Sequence, residues 1–195
     1  DMDGARQVVA NSFYLLLALS ALVTIPVLVF RRPILFAFGA SEQLWPYAEA
    51  YFTTYVAGTV FALLSVGMNQ IIMSQGFSGT VMRSVMLGAA VNIALDPVFI
   101  FLMDMGVRGA ALATVLSQAC STAYTLRFLF GKRALVGITK QPVNAGWLRR
   151  IVQVGLSPPL IIALDNVLLI AVNVMLRRYG GADSDMLIAC AAILQ

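Results

Sequence analysis

Histidine is absent from this 195-residue chain. Its absence excludes Ser-His-Asp and Cys-His catalysis within the chain, and most zinc chemistry. Cysteine is nearly absent: Cys120 and Cys190 each lie in an apolar run with no C-x-x-C partner. They read as packing residues and say little about redox compartment. Charge is scarce as well. Asp, Glu, Lys and Arg together make 11% of the residues, against about 25% in a soluble domain. Such a chain cannot cover a globule with polar surface. No basic cluster with interleaved aromatics occurs, which argues against nucleic acid as a partner. The start, "DMDGARQVV", has neither an initiator methionine nor a signal-peptide layout. The end, "ACAAILQ", stops inside an apolar run. Both ends create the expectation of a piece cut from a longer polypeptide.

What remains is hydrocarbon. The chain is 60% hydrophobic, with a mean hydropathy of +0.87. A bilayer core of about 30 Å needs about 20 apolar residues in helical form. Five segments meet that length: 8–30, 46–74, 80–103, 107–130 and 151–176, with a sixth starting near 182. The alternation of a membrane β-barrel is not visible. The expected fold class is all-α, a polytopic membrane helix bundle. Ser41 is the expected N-cap of the second span, "SQGFSGT" (74–80) a glycine-rich turn, and "DMGVRG" (104–109) a tight turn. The longest polar stretch, 131–150, is the candidate internal boundary. With alternating spans, eight of the 13 basic residues fall on the side of the N-terminus: Arg6, Arg83, Arg127, Lys132, Arg133, Lys140, Arg149 and Arg150. Arg31, Arg32, Arg108, Arg177 and Arg178 fall opposite. The N-terminus and the 131–150 loop are therefore expected on the cytoplasmic side.

Against this background, "VNIALDPVFIF" (91–101) stands out, because it places Asp96 inside an apolar span. An aspartate at a helix centre costs about 2.5–3.5 kcal/mol on insertion scales. Asn92, four residues earlier, shares its helix face. Pro97 donates no hydrogen bond and so frees the carbonyl of Ile93. Carboxylate, amide oxygen and loose carbonyl suit a small cation, or a proton on the carboxylate. Thr114 offers a further oxygen: at about 1.5 Å per residue, Asp96 and Thr114 both lie about 12–15 Å from a turn near Gly106. The run 106–114 is rich in small residues, which lets helices approach closely. Alternatively, Asp96 merely kinks or caps a helix. Asp165 is a second acid in a span, following Pro158 and Pro159; it either serves a site or pairs with Asn166 or another helix. Asn69 and Gln70 either contact substrate or cap the second span. Asn173 reads as a bond between helices. Met68, Met73, Met82 and Met86 read as core or lipid-facing.

The pieces "FGAS" (38–41), "AEAYF" (48–52), "MNQIIMSQG" (68–76), "NIALDPVFIF" (92–101), "MGVRGAALATVLSQ" (105–118) and "VGLSPP" (154–159) resemble the multidrug and toxic compound extrusion (MATE) family. The resemblance implies twelve spans in two lobes of six. Residues 1–130 would then be the last four spans of the first lobe, 131–150 the cytoplasmic inter-lobe loop, and 151–195 the start of the second lobe. It implies that Asp96, Asn92 and Thr114 bind sodium or protons, with Asp96 and Asn92 the sodium ligands. It implies that Asn69 lines the same cavity, and that Asp165 matches an acid found in the seventh span of one bacterial branch. The family's first-span aspartate has no counterpart here. The implied activity is antiport of cationic or amphipathic drugs against sodium or protons by alternating access. It needs no cofactor and takes place in the cell (inner) membrane, with the lipid bilayer and the remainder of the polypeptide as partners. A lipid-linked oligosaccharide flippase of similar architecture is the alternative. Such a protein is expected to line its cavity with basic residues, and the spans carry hardly any. A membrane enzyme would need a catalytic cluster at the surface, and none is seen.

Overall fold

A computed structural model describes residues 2–37, 42–131, 133–139, 141–156, 159–165, 167, 168, 171 and 175. The chain divides into two units, Asp1–Leu148 and Arg149–Gln195. Among the described residues of the first unit all regular structure is helical: α1 (Met2–Val29), α2 (Arg31–Ala37), α3 (Trp45–Ala57), α4 (Thr59–Ser74), α5 (Ser78–Pro97), a π-helical turn (Val98–Leu102) and α6 (Gly106–Leu129). α7 (Ala145–Gly155) straddles the division. In the second unit, residues 159–165 are helical. The sixth expected span, near 182, lies outside the described residues.

α1 and the continuous run from α5 through the π-turn are each long and apolar enough to cross a membrane, and so is the pair α3 and α4 taken together. The expected single span over 46–74 is therefore two helices, bent by 45°. The bend falls at Gly58, whose N–H turns back to the Tyr55 carbonyl at 3.0 Å. A Cβ at Gly58 would collide with the Val115 side chain of α6. Close approach of the backbone to α6 thus accompanies the break. Ser41 lies outside the described residues. Leu44 stands at the N-cap of α3 without a side-chain bond, and Pro46 sits in the first turn, where its missing N–H removes no helical bond.

α6 is the central helix, packed against α3, α4 and α5. It is the least lipid-like of the long helices, since Ser117, Ser121, Thr122 and Thr125 are all buried on it. Their hydroxyls find partners. Ser121 donates to the Ser84 carbonyl at 2.9 Å, and Thr122 to the Phe61 carbonyl at 2.8 Å. The Ser84 and Thr125 hydroxyls meet at 3.0 Å. Large apolar side chains such as Leu22, Ile25, Val66, Ile93 and Phe101 point outward instead. Small and polar groups inside with large apolar groups outside is the arrangement a hydrocarbon solvent favours, since burial of apolar surface supplies no driving force between helices there. Met68 belongs to the core, while Met73, Met82 and Met86 are exposed.

At one end of the bundle a small apolar core of Met68, Ile72 and Leu129 takes in Ala134 and Ile138 from the segment after α6. Gln75 holds that segment by both ends of its amide. Its nitrogen donates to the Val136 carbonyl at 3.1 Å, and its oxygen accepts the Val136 N–H at 3.0 Å. Asn11, wholly buried, accepts the Asn144 N–H at 3.1 Å. The first part of the polar 131–150 stretch is thus built into the first unit.

Candidate cation site

Asp96 sits one residue before the break in the helical ladder. Pro97 closes α5, and the next five residues form a π-turn. The Val98 N–H reaches the Leu95 carbonyl, and the Met103 N–H reaches the Val98 carbonyl at 2.9 Å. The spacing of acceptors changes from three residues back to five around this point, so the regular donor series is lost where the proline predicts. A π-turn of this kind is uncommon and often marks a functional position.

Asp96 is half-buried, and its Oδ1 is wholly buried with no hydrogen-bond partner. An unsatisfied carboxylate oxygen away from water is costly, and natural structures rarely retain one without a use. Asn92 is half-buried one turn earlier on the same face and makes no hydrogen bond to the carboxylate. Thr114, on α6, is also half-buried and donates to the Ala110 carbonyl at 3.0 Å. That bond uses the hydroxyl proton and leaves the oxygen lone pairs available to a cation. Asp96 lies six residues before Leu102, where the π-turn ends, and Thr114 eight residues after Gly106, where α6 begins.

The turn joining them is shorter than expected. It comprises Met103–Met105, with Asp104 at φ 51°. Gly109 is therefore not a turn residue but lies in the first turn of α6. A Cβ built there would stand 2.7 Å from the Phe99 carbonyl oxygen and 2.8 Å from its carbon. Only glycine lets α6 lie directly against the π-turn next to Asp96. Ala111 and Ala113 are fully buried, as the small-residue reading of 106–114 expects.

The family model for MatE matches residues 1–98, half of the chain, and its match takes in Asn92, Asp96 and Pro97. The chain belongs to the MatE family. Among curated relatives of this MatE chain, the multidrug export protein MepA of Staphylococcus haemolyticus (strain JCSC1435) is 26% identical over 183 residues, covering 92% of this chain and 40% of that protein. MepA of Staphylococcus aureus (strain NCTC 8325 / PS 47) is 24% identical over 182 residues, with the same coverage. The chain thus spans about 40% of the length of these curated relatives. Solved structures of similar fold include a MOP superfamily transporter from Pyrococcus furiosus described as having a binding pocket of reversed polarity. It has a TM-score of 0.81 and 29% identity, and the match covers all of this chain and 44% of that one. An inward-facing multidrug resistance MATE family transporter matches with a TM-score of 0.74 and 32% identity, over 80% of this chain and 36% of that one. The polytopic helical membrane bundle expected from composition is the fold of these relatives.

The remaining candidates divide. Asn69 is no helix cap. It is buried within α4, five residues before the helix ends, and its amide oxygen accepts the Thr125 hydroxyl at 3.3 Å. Gln70 is exposed. Asp165 lies in the second unit, exposed on a helical segment; Pro158, Asn166 and Asn173 lie outside the described residues. Sequence reasoning missed the two amides that fasten the 131–144 segment, Gln75 and Asn11. It also missed the polar seam between α5 and α6. The seam had a readable signal: Ser117, Ser121 and Thr125 recur every four residues on α6, a single face of the helix.

Proposed function

We propose that the chain is part of a secondary transporter that exports cationic or amphipathic drugs in exchange for sodium ions or protons. The coupling ion binds at Asp96, with Asn92 and Thr114 as neutral oxygen ligands and the carbonyl freed by Pro97 beside them. The observation that carries this reading is the buried, partnerless Oδ1 of Asp96 next to an interrupted helical ladder. The donor set fits a monovalent ion. Among the described residues no three of Cys, Asp and Glu gather in one place, and a lone carboxylate neutralises one positive charge. Hard oxygen ligands suit sodium, and the same carboxylate takes a proton.

Coupling requires the ion to bind the two conformations of the lobe with different affinity. The π-turn is the suited element. Its hydrogen bonds are already out of α register, so a shift of the segment past Gly109 breaks few of them. With the ion bound, Asp96 is neutralised and the segment can pack more deeply; without it, the carboxylate seeks water. Asp165, exposed in the second unit, is the candidate contact for a cationic substrate. Asn69 acts by holding Thr125 and with it the α4–α6 contact. The N-terminus of α1 and the 131–150 loop face the cytoplasm, consistent with the distribution of basic residues.

The test is efflux of a cationic dye by the full-length protein carrying Asp96→Asn, with and without a sodium or proton gradient. Asp104→Asn, in the exposed turn, is the control, because asparagine tolerates a positive φ. Export by Asp96→Asn should lose its dependence on the gradient and fall to background, while Asp104→Asn exports normally. Gradient-driven export at the normal rate in Asp96→Asn would remove the proposed site.

A further inference from the structure

At the end of the first unit that carries the 131–144 segment, a cavity of about 410 Å³ opens between the last turns of α6 and the chain leaving it. Tyr124, Arg127, Phe128, Gly131 and Arg133 line it. Both arginines are exposed and neither forms an ion pair among the described residues. The sequence withholds acids from this end. No Asp or Glu occurs between Glu49 and Asp96, nor between Asp104 and Asp165, so the α4–α5 turn, the end of α6 and the 131–144 segment carry none. Asp3, at the start of α1, is held by Arg6 at 3.6 Å. Among the described residues one further opposing charge remains. The C-terminus of α6 presents about half a negative charge through its last carbonyls. The Leu126, Phe128 and Leu129 carbonyls accept N–H groups from Phe130, Gly131 and Ile138. Two guanidinium groups outweigh what is left.

We propose that this cavity holds the phosphate of an anionic phospholipid, gripped by Arg127 and Arg133 with the Tyr124 hydroxyl as a third donor. The guanidinium fork matches phosphate oxygens in pairs. The position argues for a lipid over a dissolved anion. Arg127 ends a helix of a membrane bundle, which places it at headgroup level, where tyrosine is also favoured. Phe130 and Leu135, both largely exposed, stand in the same stretch and suit the boundary between headgroups and acyl chains. Basic pockets at the ends of transmembrane helices are a recurrent lipid site.

The experiment uses the purified full-length protein, with retained lipid measured by native mass spectrometry after exposure to dioleoylphosphatidylglycerol or dioleoylphosphatidylcholine. The unaltered protein should retain the anionic phosphatidylglycerol preferentially. Arg127→Gln and Arg133→Gln should each weaken retention about fivefold, and the double substitution about thirtyfold. Arg83→Gln, an exposed arginine on α5 outside the cavity, should change nothing. Equal retention by the double variant, or an equal loss in Arg83→Gln, would overturn the proposal. So would displacement of the lipid by an equal concentration of sn-glycerol 3-phosphate, which would make the ligand a soluble phosphate.

Discussion

Gly109→Ala adds one methyl group at the tightest helix crossing next to Asp96. The added Cβ would face the Phe99 carbonyl oxygen at 2.7 Å, its carbon at 2.8 Å and its Cβ at 3.0 Å. Carbon contacts are comfortable at about 3.5–4.0 Å, so α6 must retreat by about 0.7–1 Å, or the π-turn must yield. Two of the three obstructing atoms are backbone, which cannot rotate away. Overpacking of this kind costs about 1–3 kcal/mol. Gly79→Ala provides the opposite sign. It lies in the first turn of α5 with nothing within 4 Å of its Cβ position, and alanine there should stabilise by about 0.4–1 kcal/mol through the unfolded chain. Unfolding of the full-length protein in detergent, followed by circular dichroism, reads both. Gly109→Ala should lower the midpoint and Gly79→Ala should raise it or leave it unchanged. A midpoint for Gly109→Ala equal to that of the unaltered protein would refute the close-contact reasoning, and with it the idea that the π-turn is clamped by α6. If the proposed mechanism holds, Gly109→Ala should also slow export more than its loss of stability explains, because the displaced segment is the one following Asp96.

Two further substitutions test the other end of the bundle. Gln75→Ala removes both bonds to Val136 and leaves its N–H and carbonyl without their protein partners, at a cost of about 1–3 kcal/mol; limited proteolysis between residues 131 and 144 should accelerate severalfold, while Gln70→Ala, exposed on α4, leaves the cleavage rate unchanged. Met68→Ala empties a fully buried position against Ile72 and Leu129 and should cost about 2–5 kcal/mol, seen as a lowered unfolding midpoint; a shift no larger than that of Met82→Ala, which is exposed, would contradict the assignment of the core.

The legible parts of the site were those that carry a local cost. Asp96 announces itself because a carboxylate in an apolar span needs a compensating partner, and Pro97 because its missing donor follows from covalent structure. Likewise, the run of small residues at 106–114 forecasts close packing. Illegible were the features whose meaning depends on a partner distant in sequence. Gln75 looks like part of a turn until Val136, 61 residues later, is laid beside it. Gly58 reads as an ordinary glycine in a span until Val115 is found where its side chain would be.

From the sequence by itself came the solvent, the approximate limits of α1, α5 and α6, and Asp96 as an acid that hydrocarbon should not tolerate unaided. Each depends on composition or on neighbours within a turn of helix, and such short-range constraints are written along the chain. Tertiary structure alone decided that α6 is the polar centre of the bundle, that the second span is bent at Gly58, and that the segment after α6 is strapped to the first unit. Those outcomes depend on which helix faces meet. In a membrane that choice is made by small residues and paired hydroxyls acting across tens of residues, not by apolar patterning, which is nearly uniform along the chain.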